Sequence, residues 1–493
     1  MNLAVNTVLR NARRYGGDDR IDILLSGGRV ARIAPAGAIP ADGVPDDAEP
    51  VDLDGRFVGP GLWDSHVHFT QWVTQSRRFD LSPARSAAEA LALTARELRR
   101  APVPPGETLT GYGFRDALWP DAPTRAGLDA VAGNVPVVLA SGDLHCGWIS
   151  SVAAARLGVT VDDTGLLREL PWISVLHDLS ARRPPTGAYA SAAAAAARRG
   201  VVGIVDFENA DNAGEWPARV ADGVTSLRVE ASVWPDRLDD ALAAGLRTGL
   251  PLDPDGLVTF GRLKVVVDGS LNTGTALCWQ PYPGSPSSHG MSLVSPAELT
   301  GLLVRADAGG IRPAVHAIGD RANTEVLDVF ERLGLPGVIE HAQLLRAADV
   351  PRFAALGLVA SVQPEHAMDD RDVADRLWAG RTGRAFAYGS LHAAGATVRL
   401  GSDAPVAPLD PWQAIASATS RSRDDRDAWH PEQCLPPEAA MAGSARGRLH
   451  LTAGDVADVT IVDDDPLRAG RDRLRAMPVA GTLVAGRWTW RDL

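Results

Sequence analysis

Lysine is almost missing from this chain of 493 residues. Lys264, in "GRLKVVVDGS", is the only one, and the other 48 of the 49 basic residues are arginine. Cysteine is nearly as scarce: Cys146, Cys278 and Cys434 are odd in number and far apart, which excludes a disulfide framework and fits a reducing, cytoplasmic setting. No run approaches the ~18 uninterrupted apolar residues of a membrane span. The N-terminal "MNLAVNTVLRNARRYGGDDR" lacks the apolar core and small-residue cleavage site of a signal peptide. Positive charge is not in surplus either, and a net charge of −12 argues against nucleic acid and anionic membranes as partners. What remains is a globular composition, 45% hydrophobic and 22% charged, in a chain too long for one ordinary core.

Both ends read as β structure. "IDILLSGGRVARIAP" places two short apolar runs around a Gly-Gly turn, and "ADVTIVDDDP" and "VAGTLVAGRWTW" answer it near the C-terminus. Neither end carries enough apolar residues for a core of its own, so the two are expected to meet in one composite β-sandwich, residues 1–59 and 452–493. Between them runs an α/β alternation, with strands expected at 63–69, 201–207, 226–234, 262–269, 311–319, 337–343, 358–364 and 397–405. Eight strands alternating with helices imply parallel pairing and a closed, distorted (β/α)8 barrel, assigned to 60–69 and 190–451. About 130 residues separate its first two strands. That is too much for a loop, so 70–189 reads as an insertion subdomain contributing to the substrate pocket.

Ionisable residues gather at the ends of these strands. His66 and His68 stand two apart in "DSHVHF", and strand residues i and i+2 share a face, so two imidazoles can reach one metal ion. His316, His341 and Asp403 follow near the C-terminal ends of later strands, where barrels carry their active sites. Taken singly, each fits an ordinary rim residue; the set falls on one barrel mouth. Lys264 belongs with them. An ammonium inside a dry strand is costly unless paired or neutralised, and arginine would make the better fixed ion pair. A buried lysine can lose its proton and add to carbon dioxide, and the resulting carbamate can bridge two divalent ions that favour the anion in turn. Asp268, four residues on, offers the alternative of a structural ion pair.

These motifs resemble a known family. "FVGPGLWDSHVHF" is similar to the opening signature of the amidohydrolase superfamily. "LKVVVDGSLNTGTA", "HAIGDRA", "IEHAQ", "SVQPEH" and "GSDAPV" together resemble amidohydrolase family 3, the YtcJ-like branch, over nearly the whole chain. The resemblance implies that His66 and His68 ligate the more buried metal, and His316 and His341 a second. Lys264 would be the carboxylated bridging lysine, and Asp403 would bind metal and shuttle protons. One or two divalent ions are implied, zinc being expected, with a CO2-derived carbamate on Lys264. The implied reaction is hydrolysis of a C–N bond (amide, formamide or cyclic amide) by metal-activated hydroxide.

For the small-molecule substrate, Tyr112, Arg115, His145 and Trp148 in the insertion are candidate contacts, with Gln363 and His366 after the seventh strand. A homo-oligomer is compatible with this reading. Two alternatives stand beside it. One is a mononuclear deaminase of the same superfamily, which needs no carboxylated lysine. The other is a non-catalytic scaffold relative, which would be expected to have lost the ligands that are present here.

Overall fold

The computed structural model describes residues 6–114, 116, 119–141, 146–168, 171, 172, 175 and 184–493. The chain divides into two compact units, Met1–Phe69 with Tyr189–Leu493, and Thr70–Ala188. The larger unit begins with β1 (Thr7–Arg14), β2 (Arg20–Ser26), β3 (Arg29–Pro35), β4 (Glu49–Asp52), β5 (Phe57–Pro60) and β6 (Leu62–Val67). The smaller unit holds β7 (Phe79–Asp80), β8 (Leu109–Phe114), β9 (Val137–Ser141), β10 (Cys146–Ile149) and β11 (Leu166–Arg168). The larger unit resumes with β12 (Val201–Asp206), β13 (Arg228–Val233), β14 (Val258–Val266), β15 (Pro313–Ala317) and β16 (Val338–His341). It ends with β17 (Val359–Val362), β18 (Thr397–Leu400), β19 (Val459–Val462), β20 (Val479–Val484) and β21 (Arg487–Arg491).

Both termini share one mixed sheet, in the order β21-β20-β19-β5-β1-β2-β3, with β4 paired to β1. β5 is the seam. It pairs antiparallel with β19 (Val459↔Pro60 to Val462↔Phe57) and parallel with β1. Leu9, Ile23, Val58, Ile461 and Leu483 from both ends fill one shared core, as expected of two segments that cannot each bury enough apolar surface alone.

The second large sheet runs β18-β17-β16-β15-β14-β13-β12-β6, and every pair in it is parallel. Each of the eight strands lies within the stretch expected for it, apart from small shifts at the starts of β6 and β14. Helices separate most of them; Pro296–Ala308, for example, opens on a capping box in which Ser295 and Glu298 satisfy each other's backbone N–H groups. The sheet's two ends come together through backbone hydrogen bonds: His68 N donates to Ala404 O at 2.8 Å and Asp403 N to His66 O at 2.7 Å. Gly401 makes this approach possible, since a Cβ there would sit 2.8 Å from His66 N. The result is a nearly closed (β/α)8 barrel whose first and eighth strands converge at His66 and Asp403.

The smaller unit is a five-stranded sheet, β11-β10-β9-β8-β7, parallel from β7 to β9 and antiparallel from β9 to β11. Phe114, Leu128, Leu139 and Trp148 build its core. Its helices Ala87–Arg100 and Arg125–Ala132 are capped by Ser86 and Thr124 side chains. Among the described residues no helix is long and apolar enough to cross a membrane.

Candidate metal centre

Three residues from three strand ends define the centre. Ligand atoms of His66, His341 and Asp403 all lie within 4.8 Å of one another, and all three side chains are buried. His66 comes from β6, His341 from the last position of β16, and Asp403 from the turn after β18. His341 (φ 73°), Ala342 (φ 44°) and Asp403 (φ 57°) all adopt the left-handed backbone region. That region costs a non-glycine residue on the order of 1–3 kcal/mol, and such residues concentrate at active sites. The kink at His341 breaks strand alternation, so both Glu340 and His341 reach toward His66.

The remaining candidates surround this core. His68 Nε2 lies 3.3 Å from Asp403 Oδ1, and His66 Nε2 lies 3.5 Å from the same oxygen. The His316 and His341 rings meet edge to face, 4.4 Å between centroids. His366 Nε2 stands 3.9 Å from Asp403 Oδ2, and its ring stacks near that of His341, at 6.2 Å. Lys264 Nζ lies 3.3 Å from His66 Nε2 and 4.5 Å above the Phe207 ring. Among the described residues the lysine makes no ion pair. Asp268 is not its partner: β14 has ended at Val266, and the Asp268 carboxylate instead accepts N–H groups of Leu277, Ile318 and Gly319 at 2.9–3.0 Å. It also faces His316 Nε2 at 3.5 Å.

Electrostatics prepare these groups to bind a cation. Burial, with Lys264 nearby, lowers His66 and pushes His316 down to about 3, and burial with the neighbouring imidazoles of His316 and His66 holds His341 well below the usual histidine range. The rings are therefore neutral at physiological pH, with a lone pair available on each. Burial also lowers the Lys264 amine, against the pull of Glu340 and Asp403. For Asp403 burial alone would raise the carboxyl, but His66 and His68 beside it hold it well below the usual carboxylate range. The donor set fits a divalent ion. His341 Nδ1 and His68 Nδ1 are buried without a hydrogen-bond partner, and the Nδ1 of His66 is engaged by Glu340, which leaves its Nε2 facing the cluster.

Two further carboxylates belong to the centre and were not anticipated. Glu340 Oε2 accepts from His66 Nδ1 at 2.7 Å with both groups buried, fixing the tautomer and the ring. Asp64 Oδ1 accepts the N–H groups of His66 (3.1 Å) and Ser402 (2.9 Å), which fastens the first strand to the eighth, while burial raises its carboxyl to about 7. The signal was present in "LWDSHV" and "GVIEHAQ": single acids inside apolar strands, the same anomaly that marks Lys264. Glu340→Gln should weaken metal binding by about 10- to 100-fold with the fold intact, read by competition with a chromogenic chelator. An unchanged affinity would assign Glu340 to packing alone.

Gln363, after β17, donates to Ser361 O at 3.4 Å and keeps a buried, unpartnered Oε1. Gln343, in the turn after β16, contacts His366 Nδ1 at 3.5 Å and also keeps a free buried oxygen. Tyr112 and Trp148 lie in the smaller unit. Tyr112 is half-buried there, and Trp148 is fully buried and donates its indole N–H to Thr124 O at 3.2 Å. Arg115 and His145 lie outside the described residues.

A model of the amidohydrolase family matches residues 49–489. "Putative amidohydrolase YtcJ" of Bacillus subtilis (strain 168) is 27% identical over 496 residues, covering 89% of this chain and 90% of that protein. "N-substituted formamide deformylase" of Arthrobacter pascens is 26% identical over 532 residues, covering 94% of each. Among solved structures, an uncharacterized metal-dependent hydrolase from Pyrococcus horikoshii OT3 superposes with a TM-score of 0.77. It is 26% identical, with 95% of this chain and 99% of that one covered.

Proposed function

The chain belongs to the amidohydrolase family, and from that premise we propose that it is a metal-dependent hydrolase of small molecules, cleaving a non-peptide C–N bond in an amide, formamide or cyclic amide. The observation that carries this reading is the convergence of His66, His341 and Asp403 on one point, with Lys264 Nζ 3.3 Å from His66. His66 and His68 would hold one ion, His316 and His341 a second, and a carboxylated Lys264 would join them. Zinc suits this set of imidazole and carboxylate donors. Bound there, such ions lower the pKa of water toward neutrality and polarise a carbonyl.

The chain's own residues supply the rest. Asp403, held as a carboxylate, takes a proton from the attacking water and delivers it to the leaving nitrogen. Glu340 keeps the His66 Nδ1–H oriented so that Nε2 faces the centre. Gln363 and His366, on the segment after β17, would meet the substrate carbonyl or its substituent. The carbamate forms when the neutral Lys264 amine adds to CO2: a new N–C bond is made, one proton leaves the nitrogen, and an anionic carboxylate replaces the neutral amine. The lowered basicity of the buried amine favours the neutral form this step requires.

The test is direct. Zinc-loaded and chelator-treated protein would be assayed against N-substituted formamides and acetamides, with metal content and intact mass measured on the same samples. Release of amine and acid by the loaded protein alone, with about two ions per chain and the mass of one CO2 on Lys264, is expected. Ammonia release from amino-substituted rings, with about one ion and an unmodified lysine, would move the assignment to a deaminase. No turnover by metal-loaded protein on any of these classes would defeat the hydrolase reading.

A further inference from the structure

β17 leads directly into a helix of six residues, Pro364–Asp369, in which Glu365 and His366 are both buried. Consecutive helix positions are turned about 100° apart, so the two side chains leave the helix on different sides. His366 points toward the metal centre. Its Nε2 is buried without a hydrogen-bond partner and faces Asp403 Oδ2 at 3.9 Å, and its Nδ1 has one long contact, 3.5 Å, with the Gln343 amide. That inner contact is too weak to fix the ring. The other side of the helix is gripped far harder. Glu365 Oε1 accepts from Arg475 Nη2 at 2.7 Å and from Ser417 Oγ, and Arg475 Nη2 also donates to Ser417 Oγ. Glu365 Oε2 lies 3.6 Å from Arg423 Nη1.

These partners come from distant parts of the chain. Ser417 belongs to the helix Pro411–Ser420 and is fully buried. Arg475 ends the helix Arg471–Arg475, which lies in the chain between β19 and β20 of the terminal sheet and buries Leu474. A segment joining two strands of that sheet thus delivers a guanidinium to the helix that carries His366. The Glu365 and Arg475 side chains are 5% and 15% exposed, so the ion pair is largely withdrawn from water.

Stability does not account for such a pair. Apolar side chains of similar volume commonly do as well or better, because charges lose their hydration on burial. What the pair supplies is one geometry: carboxylate and guanidinium meet along preferred directions, whereas apolar contact has none. The helix needs that. Six residues are too few to hold a helix by its own hydrogen bonds. The apolar side chains it buries, Pro364, Ala367 and Met368, are compact or, for methionine, adaptable. A roll of ~20° about the axis would carry a side-chain tip at ~5–6 Å radius by about 2 Å. Misplacement by ~1 Å at a reacting centre costs about 10²-fold in rate.

We propose that Glu365 and Arg475, tied together by Ser417, are positioning residues that set the roll of the Pro364–Asp369 helix and so the aim of His366 at the substrate. They touch neither substrate nor metal. This role rests on the hydrolase reading, in which His366 meets the substrate.

The decisive variant makes the cluster apolar: Glu365→Met, Ser417→Ala and Arg475→Met together, in zinc-loaded protein. Urea unfolding should show a midpoint no lower than the parent's, and metal content should be unchanged. On an N-substituted formamide kcat/KM should fall about 10- to 100-fold. The same three exchanges in a His366→Ala background should cost less than about twofold more, since effects that pass through one residue are not additive. A loss of equal size in both backgrounds overturns the proposal, because a merely structural role does not depend on His366. A second readout needs no turnover. In protein with isotope-labelled histidines, the His366 ring signals, identified by their absence in His366→Ala, should shift in the triple variant while those of His66 and His316 stay. Unmoved His366 signals overturn the proposal as well. Should the triple variant fail to fold, Ser417→Ala, which keeps both charges, decides by the same spectrum: a smaller shift supports the role and none refutes it. If no amide is turned over at all, the spectrum still decides the placement, so failure here is distinguishable from failure of the hydrolase assignment.

Discussion

Asp403→Asn is expected to lower kcat by about 10²- to 10⁴-fold, the range for loss of a positioned general base. The reason is local. The carboxylate sits 3.3 Å and 3.5 Å from the Nε2 atoms of His68 and His66 and stays ionised although it is buried. Asparagine keeps the shape, and its amide oxygen can still face a cation, but it cannot carry a proton from water to the leaving nitrogen. With zinc in excess, KM should therefore move far less than kcat, and circular dichroism should be unchanged. A kcat within about tenfold of the parent would remove Asp403 from proton transfer and leave it a ligand only.

Lys264→Met should give opposite results with and without metal. In the metal-free protein the substitution removes a buried amine that makes no ion pair and exchanges it for an apolar chain of similar length. Stability should hold or rise, by about 1–3 kcal/mol. In the metal-loaded protein the variant lacks the group that would join two ions. Activity should fall at least about 100-fold, and the stabilisation that zinc confers should shrink. Urea unfolding with and without zinc, beside the activity assay, reads both signs. If the variant were less stable in both states, Lys264 would be a structural residue. If it kept full activity, the carbamate would be excluded.

Much of the fold was legible in the sequence because its signals are local. The eight barrel strands and the strand-rich ends announce themselves through short apolar runs punctuated by turn residues, and most strand limits agree within a few residues. His66, His68, Lys264, His316, His341 and Asp403 were legible for another reason: each is a polar residue at or near the end of an apolar strand. Glu340 and Asp64 carried the same mark, but a lone acid in a strand does not name its partner. The supposed pairing of Lys264 with Asp268 failed because it assumed the strand ran on past Val266.

The sequence alone determined the eight-strand plan and the joining of the two termini, since composition and periodicity bear on both directly, and it offered polar residues at strand ends as candidate metal ligands. Only the tertiary structure decided which of those residues meet. Left-handed backbone at His341 and Asp403 re-aims two side chains that regular strand geometry would have sent elsewhere, and sheet closure at Gly401 brings the first and eighth strands into contact. Distances between residues hundreds of positions apart depend on chain closure, which no local pattern encodes.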